Sequence, residues 1–157
     1  MDRSILVAHD GSEAAQRALE YALETFPGSR LVLFHAIDPF EVRPGDETDR
    51  GQPLTADWFD EHRDDATALF EDALANVDDA WLVDHESGAD GEREGSSVET
   101  EIGVGSPGQA IVAAVEDLEV DQVVLGGTGR HDVTEARLGS VAELVVRRVD
   151  VPVTVVR

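Results

Sequence analysis

Cysteine is absent from the 157 residues, which excludes disulfides and thiolate metal sites. Lysine is absent as well, and all twelve basic residues are arginine. A P-loop phosphotransferase needs the lysine of GxxxxGK(S/T), so that class falls away. No GxSxG elbow offers a hydrolase nucleophile. Phospho-receiver domains place a lysine and an acidic pair around a phosphorylated aspartate, and here Asp10 stands alone without a lysine. HDGSEA after the first strand is a poor FMN phosphate loop, which counts against flavodoxin. No apolar run approaches the ~20 residues of a membrane span. The opening MDRSILVAHDGS lacks the apolar stretch of a signal peptide. The expectation is a soluble, cytoplasmic protein.

Positive charge is scarce. Thirty-four acidic residues face twelve basic ones, a formal net charge of −22. Nucleic-acid binding requires a basic face, so nucleic acid is excluded as a partner. With 41% hydrophobic residues in a strong pattern, the acidity does not signal disorder. It fits a halophile's cytoplasm, where the Debye length falls to about 3 Å at 1 M salt and carboxylate repulsion is screened. At low salt that self-repulsion returns and weakens the compact state.

What is present is an alternation of strands and helices over one domain's length. Ile5–Ala8 is a short apolar run ending at His9-Asp10-Gly11-Ser12. Ala15, Leu19, Ala22, Leu23 and Phe26 then recur at helical spacing, with Ser12 as N-cap and Pro27-Gly28 as stop. Leu31–Ile37 is apolar apart from His35, as in a strand buried on both faces of a parallel sheet. Residues 38–54 read as a long surface loop and Ala56–Val77 as a second helix. Trp81–Val83 suggests a short third strand, and Ser87–Ser97 an acidic loop. Val98–Val104 alternates like a half-exposed or edge strand. Ser106-Pro107 opens a short helix carrying Ile111, Val115 and Leu118. Val123–Leu125 is a strand followed by a loop from Gly126 to Gly139. Ser140 and Glu143 suggest a capping box at the start of the last helix. Val151–Val156 closes the chain, and Pro152 places it at a sheet edge. The fold class is a single α/β domain, 1–157, doubly wound, with helices on both faces of a parallel sheet.

In open sheets of this kind ligands bind beyond the strand C-termini, where the winding reverses. Two turns meet that description: Asp10-Gly11-Ser12 and Gly126-Gly127-Thr128-Gly129. Glycines let anionic oxygens approach the backbone, and the helix opening at Gly139-Ser140 presents free N–H groups. Ser140 either donates its hydroxyl to a phosphate or acts as a cap. Arg130 could also meet phosphate. The plainer alternative is a glycine-rich turn that only joins strand to helix. Asp132 and Glu135 could repel a nucleotide, help hold a bridging Mg²⁺ with it, or be simple solvated carboxylates. His9 either stacks near a base or makes ordinary strand-end hydrogen bonds. His35 reads as a satisfied core residue. The five histidines show no HExxH spacing, so no dedicated metal site is expected.

The spacing Gly126-x2-Gly129-x9-Gly139-Ser140, followed by VAELVVRRVDVPVTVVR, resembles the nucleotide loop and C-terminus of ATP-binding universal stress proteins. ILVAHDGSEAAQRALEYAL is similar to that family's first strand, turn and helix, and LVLFHAID to its second strand. GSPGQAIVAAVEDLEVDQVVLGG is similar to its fourth strand-helix passage. The resemblance covers nearly the whole chain, with 39–60 and 84–97 divergent. It implies a five-stranded Rossmann-like sheet in the order 3-2-1-4-5. It also implies that Asp10 meets the adenosine end, the backbone of Ala36 the adenine, and Gly126 and Gly129 the ribose and phosphates. Gly139, Ser140 and Val141 would cradle the triphosphate of ATP or another adenine nucleotide. Thr128 stands where the family often has histidine, and His131-Asp132 replace small residues.

The function implied is a nucleotide-dependent switch in stress response, with unknown protein partners and a homodimer formed through the C-terminal strand. No general base is evident, so enzymatic activity is at most slow ATP hydrolysis. The alternative outside nucleotide chemistry is a protein-interaction module of the same fold.

Overall fold

The computed structural model describes residues 3–40, 55–78, 81, 96–128 and 138–157. Strands β1 (Ser4–Ala8), β2 (Arg30–Ile37), β3 (Ser97–Val104), β4 (Gln122–Gly126) and β5 (Val153–Val156) alternate with helices α1 (Glu13–Thr25), α2 (Ala56–Ala75), α3 (Pro107–Asp117) and α4 (Ser140–Arg148). All pairings are parallel, and the strand order is β3-β2-β1-β4-β5, as the resemblance implies.

Side-chain alternation along the strands builds two cores. Ile5, Val7, Leu31, Leu33 and Val124 point to one face, against Ala18, Leu19, Ala22 and Leu23 of α1 and Phe70 and Ala73 of α2. Leu6, Val32, Phe34, Val123 and Leu125 point to the other, against Ile111, Ala114 and Val115 of α3 and Ala142 and Val145 of α4. Strands β1, β2 and β4 are apolar in both registers because both of their faces are covered. Burying each Leu or Ile contributes about 1.5–3 kcal/mol, so the two cores drive the winding. The chain runs outward from β1 to β3 and returns to β4, which places the reversal between β1 and β4.

Local signals agree with the sequence at several boundaries. Ser12 Oγ accepts from Ala15 N at 3.1 Å to cap α1, and Pro107 opens α3. Both β3 and β5 are edge strands. Three expectations need correction. Helix α4 is capped by Gly139, and Ser140 is its first residue, with no side-chain capping bond. The proposed box fails because Glu143 pairs with Arg147 one turn on, at 2.6 Å. The expected strand at 81–83 is not the third strand, a place taken by Ser97–Val104. Trp81 lies in a helical turn, and residues 82 and 83 fall outside the described residues. Finally, β5 starts at Val153, because the N–H of Val123 bonds the carbonyl of Pro152 and the ladder begins there.

Candidate functional site

A crevice opens where the winding reverses, with β1, β2 and β4 supplying its floor. The space between its walls is about 890 Å³ when the open mouth is counted. Its lining is contributed by Ala8, His9, Asp10 and Ser12 at the end of β1 and the turn after it, by Ala15 of α1, by Phe34, His35, Ala36 and Asp38 at the end of β2, and by Leu125, Gly126, Gly127 and Thr128 at the end of β4 and beyond. Pro107 and Ile111 of α3 and residues 139–142 of α4 complete it.

The β1 side is held by short-range hydrogen bonds. Gly11, at φ +87°, takes the left-handed conformation that glycine adopts without strain. Its N–H donates to His9 Nδ1 at 3.0 Å, and Ser12 N donates to Asp10 Oδ1 at 2.9 Å. Since Nδ1 accepts, the imidazole proton sits on Nε2 and is donated to Gln16 Oε1 at 3.0 Å. Gln16 Nε2 in turn donates to the carbonyl of Ala73 at 3.0 Å. His35 Nδ1 donates to the His9 carbonyl at 2.8 Å, and its ring meets Phe70 edge-on. His9 therefore follows the hydrogen-bonding reading. His35 is half-buried and lines the crevice, so it is not a core residue.

Gly126 has a structural reason of its own. A Cβ there would lie 2.8 Å from the Ala14 carbonyl carbon, so its absence lets α1 pack directly on β4. Gly127 N donates to Val156 O at 2.8 Å, and Gly139 N donates to Gly127 O at 2.7 Å. The first bond ties the start of the 127–139 connection to the end of β5, and the second ties its two ends to each other. The N–H of Gly139 is therefore engaged in the clasp. The first-turn N–H groups of Ser140, Val141 and Ala142 have no intrahelical carbonyl to reach, and α4 has no side-chain cap. They border the crevice at the positive end of the helix dipole.

Of the residues singled out from sequence, Asp10, Ala36, Gly126, Gly139, Ser140 and Val141 line this one crevice. Gly129 and Arg130 lie outside the described residues, as do His131, Asp132 and Glu135. Sequence reasoning missed Phe34, Asp38, Pro107 and Ile111 as lining residues, while Thr128 lies in a turn that it did place at the crevice. Asp38 follows the end of β2 directly, a positional signal that was available. The α3 wall depends on packing across the sheet and leaves no local signal. Charge on the described lining is acidic, from Asp10 and Asp38, and among the described residues it carries no arginine. No group of three His, Cys, Asp or Glu among the described residues is placed to hold a metal. Nor does any described buried side-chain polar atom lack a hydrogen-bond partner. No described helix is long and apolar enough to cross a membrane.

Comparison with known proteins places this geometry. The chain is 29% identical, over its whole length and 96% of the relative's, to universal stress protein MJ0577 of Methanocaldococcus jannaschii. The solved structure of MJ0577 superposes with a TM-score of 0.67 at 27% identity, covering 99% of this chain and 96% of that one. Universal stress protein MJ0531 of the same organism is 38% identical across 99% of this chain and 82% of its own. A more distant fold neighbour, the universal stress protein of Archaeoglobus fulgidus in complex with dAMP, has a TM-score of 0.58 at 18% identity, covering 100% of this chain and 98% of that one. Another, a universal stress protein in complex with cAMP, has a TM-score of 0.61 at 20% identity, covering 99% and 96%. The model of the universal stress protein family matches residues 1–157, and the chain belongs to that family.

Proposed function

We propose that the crevice binds ATP or another adenine nucleotide and that the protein acts as a nucleotide-dependent switch in stress response. The carrying observation is the α4 N-terminus, open to the crevice and without a side-chain cap, beside the Gly127–Gly139 clasp. Donors of that kind suit anionic oxygens. The half of the crevice lined by Ala8, Phe34, Ala36 and Leu125 suits a purine. In this reading the backbone of Ala36 meets adenine and Asp10 the ribose. Gly126, Gly129 and Arg130 follow the ribose and phosphates, and Ser140 and Val141 donate to the phosphate end. Gly139 contributes through its place in the clasp, since its N–H is engaged. The complexes of two fold neighbours with cAMP and dAMP support the ligand class. Mg²⁺ would accompany a polyphosphate, and Asp132 and Glu135 are the loop carboxylates whose chemistry suits it.

The reading extends to a cytoplasmic protein from a high-salt cell that pairs through β5. That strand bonds β4 on one side only, through Pro152 and Val156 carbonyls, which turns the peptide groups of Val153 and Val155 outward. Val155→Pro removes an outward N–H while sparing the β4 ladder, so it should convert a dimer to a monomer by sedimentation in molar KCl. An unchanged mass would move the interface elsewhere.

The decisive experiment is to denature the protein purified in high salt and assay released nucleotide, then to melt it with added Mg-ATP. Ligand at 100 times its Kd adds about 2.7 kcal/mol, or roughly 5–10 °C for a domain of this size. No released nucleotide and no shift with ATP or AMP would leave the interaction-module reading in its place. Melts repeated across KCl test the salt reading, which requires stability to rise with salt.

A further inference from the structure

We propose that His9 is the positioning residue of the crevice floor and that ligand affinity therefore falls on acidification: the neutral imidazole holds the Asp10-Gly11-Ser12 turn, and a proton on Nδ1 releases it. The inference rests on the nucleotide reading of the crevice but adds a control that reading does not contain.

His9 is 5% exposed, and both of its ring nitrogens are committed. Nδ1 is the acceptor for Gly11 N–H at 3.0 Å, and Nε2–H is the donor to Gln16 Oε1 at 3.0 Å. Imidazole is the side chain whose charge changes in the physiological range. The cation carries a proton on each nitrogen. The Nε2 bond survives that change, because it already uses a donor. The Nδ1 bond does not, because two N–H groups then face each other 3.0 Å apart. Gly11 is held at φ +87° by that bond, and Ser12 N is held by Asp10 Oδ1 within the same turn. Releasing Gly11 moves Asp10 and Ser12, two residues of the crevice lining. Gln16 bonds the Ala73 carbonyl, so the ring is tied to α2 and cannot simply rotate to present its other edge.

Several charged groups surround this unit. Asp10 follows His9 directly after β1, and His35 of β2 donates to the His9 carbonyl. On α1, Glu13 and Glu20 lie one turn either side of Gln16, and on α2 Asp72 precedes Ala73. Asp38 stands across the crevice, while Leu125 and Gly126 of β4 bring no charge. A ligand that needs the ordered turn binds the neutral form, so binding expels the proton and acid weakens binding by the same linkage.

The test has two independent arms. In the ligand-free protein in molar KCl, ¹⁵N NMR between pH 8 and 5 should show the Gly11 and Ser12 amides following the protonation state of the His9 ring. His9→Asn, whose Oδ1 takes the place of Nδ1, should remove the titration of those amides. Amides that stay fixed while His9 protonates would overturn the proposal. In the second arm, affinity is measured with cyclic AMP, whose phosphodiester does not titrate in this range. Wild type should lose up to tenfold per pH unit, the limit for one proton, and His9→Asn should lose less than twofold. Equal pH slopes in both proteins would also overturn it. Coupled amide titration with no adenine compound bound at any pH would support the switch and remove the nucleotide reading instead.

Discussion

Where the strands begin, the polar groups close on one another. Arg30 forks onto Glu99 at 2.8–3.1 Å and reaches Ser4 Oγ at 2.8 Å. Ser4 N takes Asp121 Oδ2 at 2.9 Å, and Ser29 and Ser96 share a buried bond at 3.3 Å. Where the strands finish, α1 is sealed in the same way by Ser12, but α4 starts without a side-chain cap and faces a crevice. One end of the sheet spends its donors on stability, and the other leaves a helix terminus facing open space. An anionic ligand belongs at the second end, and changes there should alter binding and stability independently.

The largest effect expected from this contrast is on binding. Ser140 is the first, exposed residue of α4. Ser140→Asp puts a carboxylate at the positive end of the helix, which favours the helix by about 0.3–1 kcal/mol. The same carboxylate stands where a phosphate would sit, and like charges about 4 Å apart repel by some 4 kcal/mol at an effective dielectric near 20. With salt screening, nucleotide affinity should fall about 100-fold, or 2.7 kcal/mol, while the melting temperature holds or rises. Ser12→Ala supplies the mirror image, because it removes the α1 cap and costs about 1 kcal/mol of stability. Calorimetric titration should find its nucleotide affinity within threefold of wild type. A tenfold loss would put Ser12 Oγ on the ligand and erase the contrast between the two helix starts.

The same contrast explains what could be read from the sequence. The sheet was legible because burial on both faces leaves continuous apolar runs at 5–8, 31–37 and 123–125, and because period-two alternation at 98–104 marks an edge. The short apolar triplet at 81–83 carries no period long enough to tell strand from turn. The site was legible as a set of glycines at a topological switch, but the reasons for them were not. Gly126 is fixed by the backbone of Ala14, and Gly139 by its bond to Gly127, both distant or across a loop. Spacing alone made Ser140 and Glu143 a capping box. The extended backbone of Gly139 and the arginine at 147 decided otherwise. The acceptor role of His9 Nδ1 depends on where Gly11 and Gln16 lie in space, which no local pattern records.

The smallest effect belongs to the closed end. The Arg30 guanidinium, bonded to the Glu99 carboxylate, holds that carboxyl below its ordinary value, and Glu99 raises Arg30 in return. The partners' side chains are 35% and 49% exposed, so solvent and salt screen most of the attraction. Exposed pairs of this kind contribute about 0.2–1 kcal/mol. A carboxyl depressed by folding contributes its stability above its unfolded value, near 4.3, and loses it as pH falls through the folded value. Glu99→Gln should therefore be less stable than wild type by under about 1 kcal/mol at neutral pH. That difference should close as pH falls below the unfolded value and through the lowered folded one, and it should shrink in molar KCl. A difference that persists in acid would mean Glu99 acts through packing on β3 and not through charge. A loss of nucleotide affinity in Glu99→Gln at neutral pH would mean that the two ends of the sheet are coupled, and that the division of labour drawn from their hydrogen bonds is wrong.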